Sequence, residues 1–167
     1  MMTPLVLMAL LAAPRPNHAY FVAHVQAAAR RMGVTDTITV EPSIGEIRLT
    51  LVGFKKPQQR RAYVQPVGRD FVVIYDPSWL AKTREREARW VAYHEVAHVA
   101  FDAPLLRRGV VTKAESREME ARANDAADQW IAVLDKEARK GGKRKWLAIG
   151  AAILFLRGDS SWCSHCT

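Results

Sequence analysis

The chain reads as an α+β domain, and three observations predict it. Segments rich in β-branched and aromatic residues gather between residues 37 and 75, a stretch without Gly or Pro follows over 80–93, and an alanine-rich, Gly- and Pro-free stretch covers 115–130. Strand-like runs followed by helix-like ones, rather than the two in alternation, are the pattern of an α+β plan. The predicted order is an N-terminal helix, three or four strands, and two further helices.

Taken in order, Ala19 to Met32 has helical character, with Gly33 as its natural C-terminal stop. Thr37–Glu41, Glu46–Val52 and Phe71–Tyr75 read as strands. Ile47, Leu49 and Leu51 alternate with Arg48 and Thr50, as on a sheet with one covered face and one wet face. Arg61–Gln65 is a further strand candidate, joined to Phe71 through a turn near Gly68-Arg69-Asp70. Leu80–Tyr93 is rich in helix formers and runs into His94, with Ser78 or Asp76 as the N-cap. Pro104 places the end of that helix near Phe101-Asp102. Trp90, Ala97 and Phe101 follow the spacing of a buried stripe, and His94 sits in the same row. In the last helix, Ala121, Ala123, Ala126 and Ala127 surround Glu120 with small side chains that permit close packing.

At 167 residues and 49% hydrophobic content the chain can build one domain with a proper core. It shows no repeat and no low-complexity linker. The formal charge of +8 is concentrated at Lys55-Lys56, Arg60-Arg61, Arg107-Arg108 and Lys136 to Lys145. No nucleic-acid-reading motif surrounds these clusters, which read as a solvated basic face without a specific nucleic-acid partner.

The ends bear on location. Pro4–Ala13 is apolar, and Asn17-His18-Ala19 offers an imperfect cleavage site, so the segment reads as a secretory signal or as a helix packed on the domain. The balance leans to a secreted, periplasmic or membrane-associated protein over a cytoplasmic one. Trp146–Leu156 is a second apolar run, flanked by Lys143-Arg144-Lys145 and Arg157, too short to span a bilayer and suited to packing or weak membrane-surface association. Cys163 and Cys166 are the only cysteines; a lone CxxC is half a zinc ribbon, and with His165 it is at most an adventitious metal binder, or an oxidisable pair if exported. The expected division is 1–19 as an apolar N-terminal segment, 20–140 as the domain and 141–167 as a basic and apolar tail.

Chemistry enters with His94-Glu95-Val96-Ala97-His98. One helical turn brings both imidazoles onto a single face, where they can share an ion. Glu95 lies about 100° around the helix, too far to be a ligand beside them but well placed to accept a proton from water at the metal. A third ligand is expected from the alanine-rich helix. Glu120 is the choice and Glu118 the runner-up, while Asn124, or else Asp125 or Asp128, could hydrogen-bond the outer nitrogen of a ligating histidine.

With these residues in place, the chain resembles the gluzincin branch of the zincin metallopeptidases, including the compact minigluzincins. The matches are His94-Glu95-x-x-His98 and the stretch Glu120-Ala121-Arg122-Ala123-Asn124-Asp125-Ala126-Ala127, which is similar to the glutamate-helix pattern of that group. Asn124 stands where many gluzincins carry Asp. No histidine follows His98 at metzincin spacing. The resemblance covers roughly residues 60 to 137 and implies a small zincin-like domain. It also implies Zn2+ held by His94, His98 and Glu120, with Glu95 as general base in peptide-bond hydrolysis. It further implies an oxyanion-stabilising residue, for which Tyr75, Tyr63 and His24 are candidates. In such domains an edge strand pairs with an extended peptide, which makes Phe71–Tyr75 either substrate-facing or a central core strand. Peptide or protein segments, short or flexible, are the expected substrates. Two other classes stand beside this: a zincin-fold regulatory or binding protein with a structural zinc, and a basic adaptor using Lys136 to Lys145. An intact Glu95 favours hydrolysis, since a structural site needs no proton acceptor.

Overall fold

A computed structural model describes the backbone of residues 15–45, 47–49 and 58–157, and the side chains of 15–45, 47 and 60–141. The apolar run Pro4–Ala13, Leu51 in the predicted alternation and the Cys163–Cys166 tail lie outside the described residues. The architecture is α+β, as expected.

Helix α1 spans His18–Arg31. The Asn17 side chain accepts a hydrogen bond from the Tyr20 amide at 2.9 Å and so satisfies one of the unpaired donors of the first turn. Gly33, at φ 68°, makes the left-handed turn that ends it, where a side chain would be strained.

Five strands follow: β1 (Ile38–Pro42), β2 (Ile47–Leu49), β3 (Gln58–Arg60), β4 (Ala62–Val67) and β5 (Asp70–Tyr75). β5 is central in a three-stranded sheet of order β1-β5-β4, parallel to β1 and antiparallel to β4. Phe71, Val72, Val73 and Tyr75 are all buried, because neighbours cover both faces of β5. Of the two roles open to Phe71–Tyr75, the central one is observed. β4 is an edge, and Pro66 fits there because an edge strand can spare an amide donor. β2 and β3 form a separate antiparallel pair with Ile47 opposite Arg60. Gln58-Gln59-Arg60 has no β-forming residue, so β3 arises from pairing alone.

The motif helix departs from expectation at both ends. Asp76 does cap a helix, accepting from the amides of Ser78 at 2.8 Å and Trp79 at 3.3 Å, but this is the short α2 (Pro77–Leu80). The chain breaks over residues 81–84, and α3 (Glu85–Arg108) begins after Arg84 with no side-chain cap. Glu85 and Glu87 in its first turn complement the helix dipole instead. At the far end α3 runs through Pro104 and stops at Gly109, in the left-handed conformation at φ 74°. Pro104 is solvent-exposed, and water can satisfy the carbonyl that loses its donor. Phe101 is 55% exposed and is not in the buried stripe, whereas Ala97 is fully buried.

α1 packs on α3 and β1, and α3 also packs on β4. Phe21, Val25 and Ala28 of α1, Val73 of β5, and Ala88, Ala92 and Val96 of α3 make the dry centre. Helix α4 (Lys113–Arg157) is longer than expected and passes through Gly141-Gly142 without a break. The chain divides into a compact unit through Asp128 and a second unit from Gln129, whose described residues are the remainder of α4. Among the described residues no helix is long and apolar enough to cross a membrane.

Candidate metal centre

α3 presents His94 and His98 one turn apart, and their Nε2 atoms lie 3.2 Å from each other. Glu120 of α4 reaches the same point, its Oε2 3.5 Å from His94 Nε2. One ligand atom from each of the three residues falls within 4.8 Å of the other two. Two imidazole nitrogens and a carboxylate oxygen converging at such distances are a donor set that could hold a metal ion. Along α4, Ala123 and Ala127 are fully buried and Ala126 is half-buried, while Ala121 faces solvent. Glu118, the alternative ligand, is 70% exposed and points to Arg122 at 3.9 Å.

Each imidazole is held differently. His98 Nδ1 lies 3.3 Å from Asp102 Oδ2, one turn further along α3. A carboxylate can only accept, so Nδ1 carries the proton and the Nε2 lone pair faces the site. Burial alone would depress the His98 pKa, but the hydrogen bond to Asp102 and the charges of Glu95 and Glu120 outweigh it and the net shift is upward. Asp102 is almost fully buried, and Arg122 of α4 donates to its Oδ1 from Nη2 at 2.6 Å and from Nε at 3.1 Å. Burial would raise the Asp102 pKa, yet its hydrogen bonds to His98 and Arg122 hold it below the usual carboxylate value.

His94 has no such carboxylate. Its Nδ1 is buried without a hydrogen-bond partner, and the ring is oriented by stacking on Trp90, centroids 5.0 Å apart and planes 25° apart. Trp90 is in turn pinned by its Nε1 donating to Asp128 at 2.7 Å. Asn124 lines a small hollow beside His94, and its side chain interacts with the ring in the sense that raises the His94 pKa, while Asp125 is exposed. Burial first, then the charge of His98, push the His94 pKa down to about 4. His94 is therefore disposed to present a lone pair, and in neutral His98 the hydrogen bond to Asp102 leaves Nε2 as the lone-pair nitrogen.

Glu95 is buried beside them. Desolvation lifts its pKa to about 7, against the opposing pull of His98, Arg60 and a backbone hydrogen bond from Val64. A cavity of about 250 Å³ opens over the three candidate ligands and Glu95. It is lined by Ala62, Tyr63 and Val64 of edge strand β4 and by Leu106, Val111 and Met119. Of the candidates for an oxyanion-stabilising residue, Tyr63 lines this cavity. Tyr75 instead pairs with His18 Nδ1 at 3.0 Å, and His24 lies against Tyr20 in α1, centroids 4.4 Å apart and planes tilted by 56°.

Three residues near the site escaped sequence reasoning. Asp102 had a local signal, since it stands four residues after His98. Arg122 and Arg60 had none, because what they hold lies 20 and 60 residues away in the chain.

No protein-family model matches the chain, and no curated protein matches it. Among solved structures it is similar to the crystal structure of the metallopeptidase zymogen jannalysin of Methanocaldococcus jannaschii, at 15% identity and a TM-score of 0.35, over 66% of this chain and 92% of that one. A likeness of that degree carries no weight for function, which rests on the side chains themselves.

Proposed function

We propose that the chain is a zinc-dependent endopeptidase of the gluzincin type, with His94, His98 and Glu120 as metal ligands and Glu95 as general base. The observation that carries it is the convergence of the three ligand atoms within 4.8 Å, with a buried Glu95 on the same cavity. A zinc ion held there would supply a Lewis acid for the scissile carbonyl and bring the pKa of water towards neutrality.

The chain's own groups do the rest. Glu95 accepts the proton of the attacking water and passes it to the leaving amine nitrogen. Burial raises the Glu95 pKa in the metal-free chain, and a divalent ion beside it would draw that pKa back down and favour the carboxylate form that accepts the proton. Asp102 holds His98 in one tautomer, and Trp90 holds the His94 ring. The edge of β4 at Ala62–Val64 runs along the cavity and offers backbone groups to an extended peptide, a role the sequence had offered to β5. Three protein ligands facing an open cavity also speak against a purely structural zinc, which is normally closed by four.

Purified protein should bind stoichiometric zinc and cleave a peptide library only without chelator. Glu95→Gln should keep its zinc and lose roughly 10²-fold or more in kcat. Undiminished cleavage by that variant would remove the general base, and zinc without any chelator-sensitive cleavage would remove the enzyme.

A further inference from the structure

Arg60 ends β3, just before the edge strand that borders the cavity. Its Nη2 donates to Glu120 Oε1 at 3.2 Å, while the other carboxylate oxygen of Glu120 faces His94 at 3.5 Å. The side chain is 29% exposed and borders the same cavity as His94 and Glu95. Among the described residues lining the cavity it is the one permanent cation, beside apolar walls of Val64, Leu106, Val111 and Met119. The neighbouring Arg61 is paired with Glu87 at 2.8 Å.

Without metal, Arg60 and Glu120 neutralise each other. With a divalent ion at the triad, the carboxylates of Glu120 and Glu95 balance the ion, and the Arg60 charge is left over. A part-exposed guanidinium whose one carboxylate partner is shared with the ion is under-compensated, and a second carboxylate, whose two oxygens match its planar fork, pairs with it.

We propose that Arg60 makes the metal-loaded cleft selective for peptides with a carboxylate beside the scissile bond. This rests on the peptidase function proposed above and names its substrate class. The carboxylate can belong to an acidic side chain or to a free C-terminus.

The test uses the zinc-loaded full chain and fluorescein-labelled peptides of one backbone, with Glu or Gln on either side of the scissile bond and the C-terminus free or amidated. Binding is read by anisotropy and cleavage by KM and kcat, for the unaltered protein, Arg60→Gln and Arg60→Lys, with zinc content measured in each. The carboxylate form should bind roughly tenfold tighter or better, with the difference in KM and weakened by salt. Arg60→Gln should abolish the preference at full zinc occupancy, and Arg60→Lys should keep part of it. Whether the Glu arm or the free-terminus arm carries the preference identifies the source. Equal binding of all four peptide types by the unaltered protein would overturn the proposal, and so would a preference that survives in Arg60→Gln. Zinc loss from Arg60→Gln, with no charge preference in the unaltered protein, would also overturn it and make Arg60 a holder of Glu120 only. Absence of cleavage with the binding preference intact would count against the peptidase and leave the Arg60 assignment standing.

Discussion

Replacing Glu95 by Gln in metal-free protein should stabilise the fold at alkaline pH and leave it unchanged in acid. Burial raises the Glu95 pKa from 4.5 to about 7, so between these values the folded chain holds a proton that the unfolded chain has released. Stability from this group is fully present below pH 4.5 and is lost as pH rises through 7. The full loss, 1.36 kcal/mol per tenfold change in proton affinity over that interval, is about 3 kcal/mol. Gln is the neutral isostere of the protonated acid and avoids the loss. His94 works in the opposite direction. Its pKa falls to about 4 in the fold, so its contribution is present above 6.5 and is lost as pH falls through 4. In the unaltered protein the two opposing slopes largely cancel between pH 4.5 and 6.5, which hides both. Comparison with Glu95→Gln exposes them. Urea unfolding in the presence of chelator, at half-unit steps from pH 4 to 8.5, should show equal stability of the two proteins at pH 4 and a gain of about 3 kcal/mol for the variant at pH 8. A gain that does not grow with pH, or a loss at pH 8, would refute the idea that Glu95 carries a desolvation cost in this cavity.

Two further outcomes follow from the packing around the site. Asp102→Ala removes the acceptor that fixes the His98 tautomer and should weaken zinc binding roughly 10- to 100-fold, read by competition with a chromogenic chelator. Unchanged affinity would leave Asp102 as a partner of Arg122 alone. Gly109→Ala meets no atom within 4 Å but must adopt φ 74°, and should cost about 1–2 kcal/mol in thermal or urea unfolding. A neutral result would mean that the end of α3 re-forms without the left-handed turn.

Much of this protein is legible in one dimension because its determinants are local. α1 with its Gly33 stop, β1, β4 and β5, and the pairing of His94 with His98 all follow from spacings of two to four residues. Glu120 followed from close neighbours too, since the small residues around it announce a helix that can approach another. Errors arose where a local signal had competitors. Asp76 is a true cap, but of α2, and the chain then has to break before α3. Pro104 is a true helix breaker in isolation, but it stands on a wet face where the lost hydrogen bond is cheap, so Gly109 ends the helix instead.

The sequence by itself determined which residues could ligate a metal and which acid could move a proton, since these follow from side-chain chemistry and the helical repeat. Only the tertiary structure decided which strand forms the edge along the cavity, that Asp102 and Arg122 tie His98 to α4, and that Arg60 stands against Glu120. The Arg122 and Arg60 contacts among them join residues 20 and 60 apart in the chain. There the free energy comes from burial and from charges sharing a low-dielectric cavity, which no local spacing records.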